Sequence, residues 1–349
     1  MKIEYFGASH SDGVGSVIKG FPAGVRLDRE KLEKQMARRS PSRSFESARR
    51  EHDEVIFESG LCENVTTGED IIISVPNRAQ KSSDYDELKN KPRPSHADYA
   101  AHAAYGADYD MRGGGEFSGR MTAPLVAAGV LACEYLSSFG ISVTSRVYSV
   151  KDVRDVPVDY TDEKALDGVS DKAFPTVSAE AARKMTDVIE KARLDGDSVG
   201  GVAECFICGL GAGVGGKHTS GLESVISRFV FGVPSVKGIE FGSGFAGTEK
   251  LGSENNDPFE YVGEKVVTTK NDHGGILGGL SSGMPIVFRA ALKPVPSISK
   301  EQNTVDLIKK ENCTIKIKGR HDSCVVPRAL PAIESAAALA IIEVLLDNN

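Results

Sequence analysis

Glycine falls in dense groups along this chain: Gly113-Gly114-Gly115, Gly211 to Gly216 and Gly274 to Gly283, within 37 glycines in 349 residues. Glycine accepts positive φ and lets backbone approach backbone or ligand closely, and it weakens a helix or strand from within. The groups therefore mark tightly shaped loops, and regular elements must lie between them. A short apolar strand, Ile3 to Phe6, runs into Gly7-Ala8-Ser9-His10-Ser11-Asp12-Gly13. A strand over about Val14 to Gly20 follows, then a helix from about Leu32 to Arg39 with Asp28 as its N-cap. Ile71 to Val75 reads as a buried strand, 96–105 as helical, and Ser118 to Leu136 as a long apolar-faced helix opened by the glycine triplet. Residues 150–177 are polar and irregular and read as a surface excursion. A charged helix (about Ala179 to Arg193), a strand (Val202 to Cys208) and a helix (around Leu222 to Phe231) follow. Residues 285–293 and 314–318 are strand-like, and the last helix is expected to begin near Pro331.

The order strand, turn, helix occurs in Gly15 to Arg39 and again in Gly200 to Phe231, which points to two related halves. Without strict βαβ alternation the expected class is α+β, with helices against antiparallel sheets. Apolar residues at 40% and charged residues at 26% fit a soluble globular chain. The most apolar stretch, Ala332 to Leu346, is interrupted by Glu334, Ser335 and Glu343 and reads as a buried helix rather than a membrane span. The first residues turn polar too quickly for a signal peptide. Six cysteines in a chain of this length make no disulfide framework, so a reducing cytoplasm is expected. A net charge of −7 argues against nucleic acid, and any anionic ligand needs a local cluster of arginines.

Two motifs invite other readings. Gly211 to Lys217 has the glycines and lysine of a phosphate-binding loop, but His218 stands where the magnesium-binding hydroxyl belongs. A glycine-rich connecting loop is the favoured reading. Cys205-Phe206-Ile207-Cys208 has metal-like spacing, yet it lies within a strand, where positions three apart face opposite sides. Buried thiols are expected there.

The chemistry concentrates on histidine and arginine. His10 follows Ser9 in a glycine-flanked loop, and His96 lies in Arg93-Pro94-Ser95-His96-Ala97-Asp98 just before a helix. Such settings suit acid–base work. Arg38, Arg39, Arg43, Arg93, Arg112, Arg120, Arg320 and Arg328 could meet a small ligand with several anionic groups, whereas Arg49-Arg50 reads as a solvated face. Arg120 is placed one turn into the helix that carries Ser118, an anion-binding setting.

Together these elements resemble the chorismate synthase family over nearly the whole chain. Gly7-Ala8-Ser9-His10 resembles its Gly-Glu-Ser-His, and Arg93 to Asp98 its Arg-Pro-Gly-His-Ala-Asp. Arg112 to Ala123 resembles its Arg-Gly-Gly-Gly-Arg-Ser-Ser-Ala-Arg-Glu-Thr-Ala. Gly196 to Gly200, Gly274 to Gly283, Lys293-Pro294 and Gly319-Arg320-His321-Asp322 follow in the family's order. The resemblance implies a single domain over residues 1–349 with a β-α-β sandwich fold, assembled as a homotetramer. It implies reduced FMN as cofactor and 5-enolpyruvylshikimate 3-phosphate as substrate, with phosphate lost by 1,4-elimination to give chorismate. The flavin is reduced by NADPH or an external reductant, and neither nucleic acid nor membrane is a partner. Carried over residue by residue, His10, His96 and Asp322 are catalytic. Ser9, Arg38, Arg43, Arg93, Ser118 and Arg120 hold substrate. Glu116, Phe117, Ser118, Gly278, Lys293, Pro294, Val295, Pro296, Ser297 and Arg320 hold flavin. Ala8 and Glu116-Phe117 depart from the family pattern, as does Ser44 where the family has arginine. Glu116 is expected to turn outward or to pair with Arg112 or Arg120. A nucleotide-binding enzyme using the 211–217 loop, and a silent member keeping only the fold, are the competing readings. The presence of His10, His96 and Asp322 argues against the silent member.

Overall fold

The computed structural model describes residues 1–43, 46, 53–78, 90–317, 319 and 321–347. Its helices are α1 (Arg29–Arg39), α2 (Asp98–Tyr105), α3 (Thr122–Ser137), α4 (Ala179–Leu194), α5 (Leu222–Val230), the single turn α6 (Gly252–Asn255) and α7 (Val326–Asp347). Asp28 caps α1 as expected, its carboxylate accepting from the amides of Glu30 and Lys31. One antiparallel sheet carries Lys2–Gly7, Gly13–Lys19, Ile71–Pro76 and Ile56–Ser59 in that spatial order. A second antiparallel sheet orders Val236–Phe241, Ile286–Leu292, Gly201–Cys208, Ser142–Val150 and Val153–Arg154.

Between the sheets lies a layer of helices. α3 packs on the first sheet and on Ser142–Val150 of the second, while α7 packs on Ser142–Val150 and Gly201–Cys208. α1 and α5 pack against α7. The result is the expected β-α-β sandwich of the α+β class, with the core in its middle layer. α7 is long and apolar enough to cross a membrane, but it is buried along most of its length between the sheets. Its one deep charge, Glu334, accepts both Nη atoms of Arg38, at 2.6 and 2.9 Å, and the hydroxyl of Ser145 at 2.7 Å.

Small residues let α3 and α7 come together. A Cβ on Gly129 would lie 2.1 Å from Ser335 Cβ and 2.6 Å from its Cα. α7 starts at Val326, ahead of the expected start at Pro331, which falls inside the helix. Pro331 has no N–H to donate to the Pro327 carbonyl, and one turn on Ser335 Oγ donates to the Pro331 carbonyl at 2.6 Å.

The outer face of the second sheet is covered by the 150–177 excursion. Leu166 and Val169 pack on Phe206, Cys208 and Val287. Beneath it, fully buried Arg146 bonds Glu204 at 2.7 Å and Asp155 at 3.1 Å. Cys205 joins the central core and Cys208 the outer cluster, so the two thiols do face opposite sides. Burial pushes the Cys208 thiol up to about 12.

The Gly211–Gly216 and Gly274–Gly283 groups interlock backbone to backbone. Gly213 N donates to Ser281 O at 2.8 Å, Val214 N to Ser281 Oγ at 2.9 Å, and Leu222 N to Gly279 O at 3.0 Å. A Cβ at Gly279 would meet Gly216 O at 2.3 Å. Two loop amides that could have cradled a phosphate, those of Gly213 and Val214, are spent on this joint, which favours the connecting-loop reading. Replacing Gly129 by Val should cost about 1–3 kcal/mol through overpacking. A urea melt should show a lower midpoint that Ser335→Ala does not restore, because the obstructing atoms include the Ser335 Cα.

Candidate active site

The glycine triplet lies at the centre of the site. Arg112–Phe117 is an irregular turn in which Gly113, Gly114 and Gly115 all hold positive φ, at 59°, 96° and 54°. A Cβ on Gly113 would come within 2.4 Å of His10 Cε1 and 2.5 Å of Ser9 Oγ. A Cβ on Gly114 would touch His96 Cε1 and Nε2 at 3.4 Å. Two histidines 86 positions apart in sequence therefore reach the same backbone turn. Ser9 N anchors its loop there by donating to Gly115 O at 3.2 Å.

His96 is oriented by Asp98. Its Nδ1 lies 2.7 Å from Asp98 Oδ1. Arg93 also meets Asp98, its Nε and Nη2 each donating at 2.7 Å. Burial pushes the Asp98 carboxyl up, but bonds from Arg93 and His96 outweigh this and hold it well below the usual carboxylate range. An ionised carboxylate can only accept, so His96 Nδ1 carries the hydrogen, and Nε2 is left facing Gly114. A 3.2 Å approach of Arg93 Nη2 to the same Nδ1 is the longer contact and does not set the tautomer. Lys293 donates to the carbonyl of Ser95, and Arg93 Nη1 reaches Ser297 Oγ at 3.4 Å.

These groups border a cleft of about 1340 Å³. Arg39, Arg93, Arg120, Arg328 and Lys293 line it, together with Asp53 and Asp322. Asp53 is gripped from both sides, by Arg39 Nη2 and Arg120 Nη1. Although burial raises it, the two guanidiniums hold its carboxyl below the ordinary value. Arg120 Nε also donates to Asn77 Oδ1 at 2.8 Å. Arg328 Nη1 pairs with Asp322, and its Nε donates to the Arg39 carbonyl at 2.9 Å. In a chain of net charge −7, this is a local concentration of cations.

The full-length comparison decides what this cleft belongs to. The chorismate synthase family model matches residues 1–346. The chain belongs to the chorismate synthase family. Curated chorismate synthases from Pyrococcus abyssi and Lancefieldella parvula are 43% and 40% identical, over 98% and 99% of this chain and 94% of each relative. A solved chorismate synthase crystal structure matches the fold with a TM-score of 0.76 at 24% identity, covering 99% of this chain and 92% of that one. The activity of this family is that of a lyase, and it is the activity of this chain.

Most of the residues expected from the chorismate synthase motifs converge. His96, Arg93, Glu116, Phe117, Ser118, Arg120, Lys293, Val295, Pro296, Ser297 and Asp322 line the cleft. His10 and Ser9 stand directly behind Gly113, and Pro294 lies within the cleft-lining 293–297 segment. Arg38 and Arg43 are not brought there. Arg38 points into the helix layer toward Glu334, and Arg43 bonds Glu46 Oε1 at 2.7 Å and the Ala173 carbonyl at 2.8 Å. Arg39 takes the place at the cleft. Leu32, Met36 and Arg39 form the buried stripe of α1, so helical spacing could have selected it. Gly278 sits in the interlocked glycine joint and does not line the cleft. Arg320, Ser44 and Arg49-Arg50 lie outside the described residues.

The long helix begins later than expected, at Thr122. Arg120 precedes it in a separate turn that Ser118 caps by accepting from the Arg120 amide at 3.2 Å. Arg112 pairs with Asp110 and Arg120 with Asp53, while Glu116 is exposed beside Tyr109, whose hydroxyl is pushed up to about 12 by burial and by that carboxylate. Ser95, which stands where the family pattern has glycine, holds φ at 59°. Asp53 carried no sequence signal, because its meaning comes from two arginines 14 and 67 residues away.

Gly113→Ala should lower turnover by about 10²-fold, the order expected when a catalytic group is displaced by 1 Å. Steady-state assay against wild type reads this directly. The depressed Asp98 contributes stability that is present above its unfolded value near 3.9 and is lost as pH falls through the folded one. Below about pH 4 the wild type should therefore lose stability more steeply than Asp98→Asn, as measured by chemical melts across that range.

Proposed function

We propose that the cleft takes 5-enolpyruvylshikimate 3-phosphate and reduced FMN together, and that phosphate leaves by 1,4-elimination to give chorismate. The observation that carries this reading is the convergence of His10 and His96 on the glycine triplet, beside the cleft cations. Its volume exceeds the range of a pocket for one drug-sized ligand, about 300–1,000 Å³, and so leaves room for two.

Reduced flavin, held by Ser118, Asp322 and the Lys293 to Ser297 segment, would supply the electron density and the proton acceptor that the elimination needs. The chain's own residues bind, orient and protonate. His10 donates a proton to the departing phosphate, and Ser9 and the Gly113 backbone keep its ring in place. Arg39, Arg93 and Arg120 meet the carboxylates and phosphate of the substrate. Asp53 and Asp98 keep these arginines extended and charged before the ligand arrives. His96, with its Nδ1 hydrogen committed to Asp98, keeps Nε2 for the flavin ring edge. Phe117, Ser118, Arg320, Asp322 and Lys293 to Ser297 would hold the flavin, with Glu116 at the cleft wall and Gly278 outside it. The homotetramer, a cytoplasmic location and reduction of flavin by NADPH or an external reductant complete the proposal.

Under anaerobic conditions with dithionite-reduced FMN, substrate should give chorismate and phosphate in equal amounts, and oxidised FMN should give neither. Turnover without flavin would overturn the reading. His10→Ala and His96→Ala should each lower kcat by about 10²–10⁴, the usual contribution of general acid–base catalysis. Near-normal rates in both would show that the roles lie elsewhere.

A further inference from the structure

Away from the cleft, Asp257, His273 and Ser282 form a relay that the lyase reaction does not use. His273 Nδ1 and its backbone amide both meet Asp257 Oδ2, the amide at 2.8 Å. His273 Nε2 lies 2.9 Å from Ser282 Oγ. None of the three lines the cleft. The side chains of Asp257 and His273 are 4% and 11% exposed, while Ser282 is half-buried.

The polarity of the relay follows from its partners. Asp257 is held below the usual carboxylate range: burial raises it, but bonds from the His273 amide and ring outweigh that. As an acceptor-only group it fixes the hydrogen on Nδ1. Nε2 is then the acceptor for the Ser282 hydroxyl, the arrangement in which imidazole serves as general base to a serine. The serine is also rigidly placed. Ser282 N donates to Gly275 O at 2.9 Å, and neighbouring Ser281 Oγ donates to Gly211 O at 2.5 Å. The glycine joint thus holds the nucleophile's backbone. Lys270 balances the charge of Asp257 at 3.4 Å and that of Asp272 at 2.5 Å.

We propose that Ser282 is a second reactive site of this protein, activated by His273 and Asp257 and acylated by activated carboxylic esters. Ser282 Oγ attacks the ester carbonyl carbon, and its proton passes to His273 Nε2. The tetrahedral adduct collapses by breaking the bond to the alcohol or phenol, which leaves with that proton, and an acyl-serine remains. Water attacks the acyl-serine by the same route, returning the free serine and a carboxylic acid. Ser282's own amide is committed to Gly275, and Met284 N, 3.4 Å away, donates to Oγ itself, so neither serves the adduct's oxyanion. A missing oxyanion donor costs on the order of 10²–10³ in rate. That loss slows acylation and deacylation alike, but a phenolate leaves far more readily than the serine alkoxide. With an activated ester the acyl-serine therefore forms faster than water removes it, and the site behaves as a reactive serine rather than as a fast esterase.

The full-length protein treated with p-nitrophenyl acetate should release one burst of p-nitrophenol per chain. Intact mass should show one added acetyl group, and peptide mapping should place it on Ser282. A fluorophosphonate should modify the same residue and block the burst. Ser282→Ala should remove the burst, and Asp257→Asn should slow it by about 10²-fold or more. Acetylation of wild type confined to lysines or the N-terminus overturns the proposal. So does an unchanged burst in an Asp257→Asn variant that melts like wild type.

Discussion

Everything in this fold depends on how closely α3 and α7 approach each other. The two sheets meet through this helical layer, so its thickness sets their separation. That thickness is fixed where Gly129 faces Ser335, with no room for a single added carbon. Alanine-rich surfaces on both helices extend the close contact on either side. α1 is tied to the same layer through Arg38 and Glu334, and its next residue, Arg39, emerges at the cleft. A packing constraint in the middle of the protein is thereby connected to the position of a cation at its active site.

The cleft is prepared for anions by carboxylates. Arg39 and Arg120 are paired through Asp53, Arg93 through Asp98, and Arg328 through Asp322. A cluster of partly buried guanidiniums with no partners would carry a desolvation cost and mutual repulsion. The aspartates offset both and leave the arginines positioned. An incoming phosphate or carboxylate then competes with a resident carboxylate, so a singly charged ligand gains little. A ligand with several anionic groups gains at several arginines together.

Sequence periodicity finds most helices and the strands Lys2–Gly7, Gly13–Lys19, Ile71–Pro76, Gly201–Cys208 and Ile286–Leu292, many of them bounded by glycine or a cap as at Asp28 before α1. It misses Ile56–Ser59, Ser142–Val150 and Val236–Phe241. Its errors have particular causes. Pro331 looked like a helix start because proline is common in a first turn, but the tight packing of α7 tolerates it further in. Ser118 looked like part of α3 because the three-residue turn before Thr122 preserves the apolar spacing. At the candidate site, His10 and His96 were legible from their loops, whereas their convergence was not. It depends on the positive φ values of three successive glycines, which is three-dimensional information. Arg38 and Arg39 are neighbours in sequence but lie about 100° apart around the helix axis, so one meets Glu334 in the helix layer and the other the cleft.

The position of α7 in chain order has a consequence for biosynthesis. Every strand of both sheets leaves the ribosome before the 22 residues that fill the space between them. Until those residues emerge, α3 can already cover the first sheet, but Ser142–Val150 and Gly201–Cys208 of the second lack the helix that packs on them. Docking of α7 is therefore a late step that closes the sandwich from within.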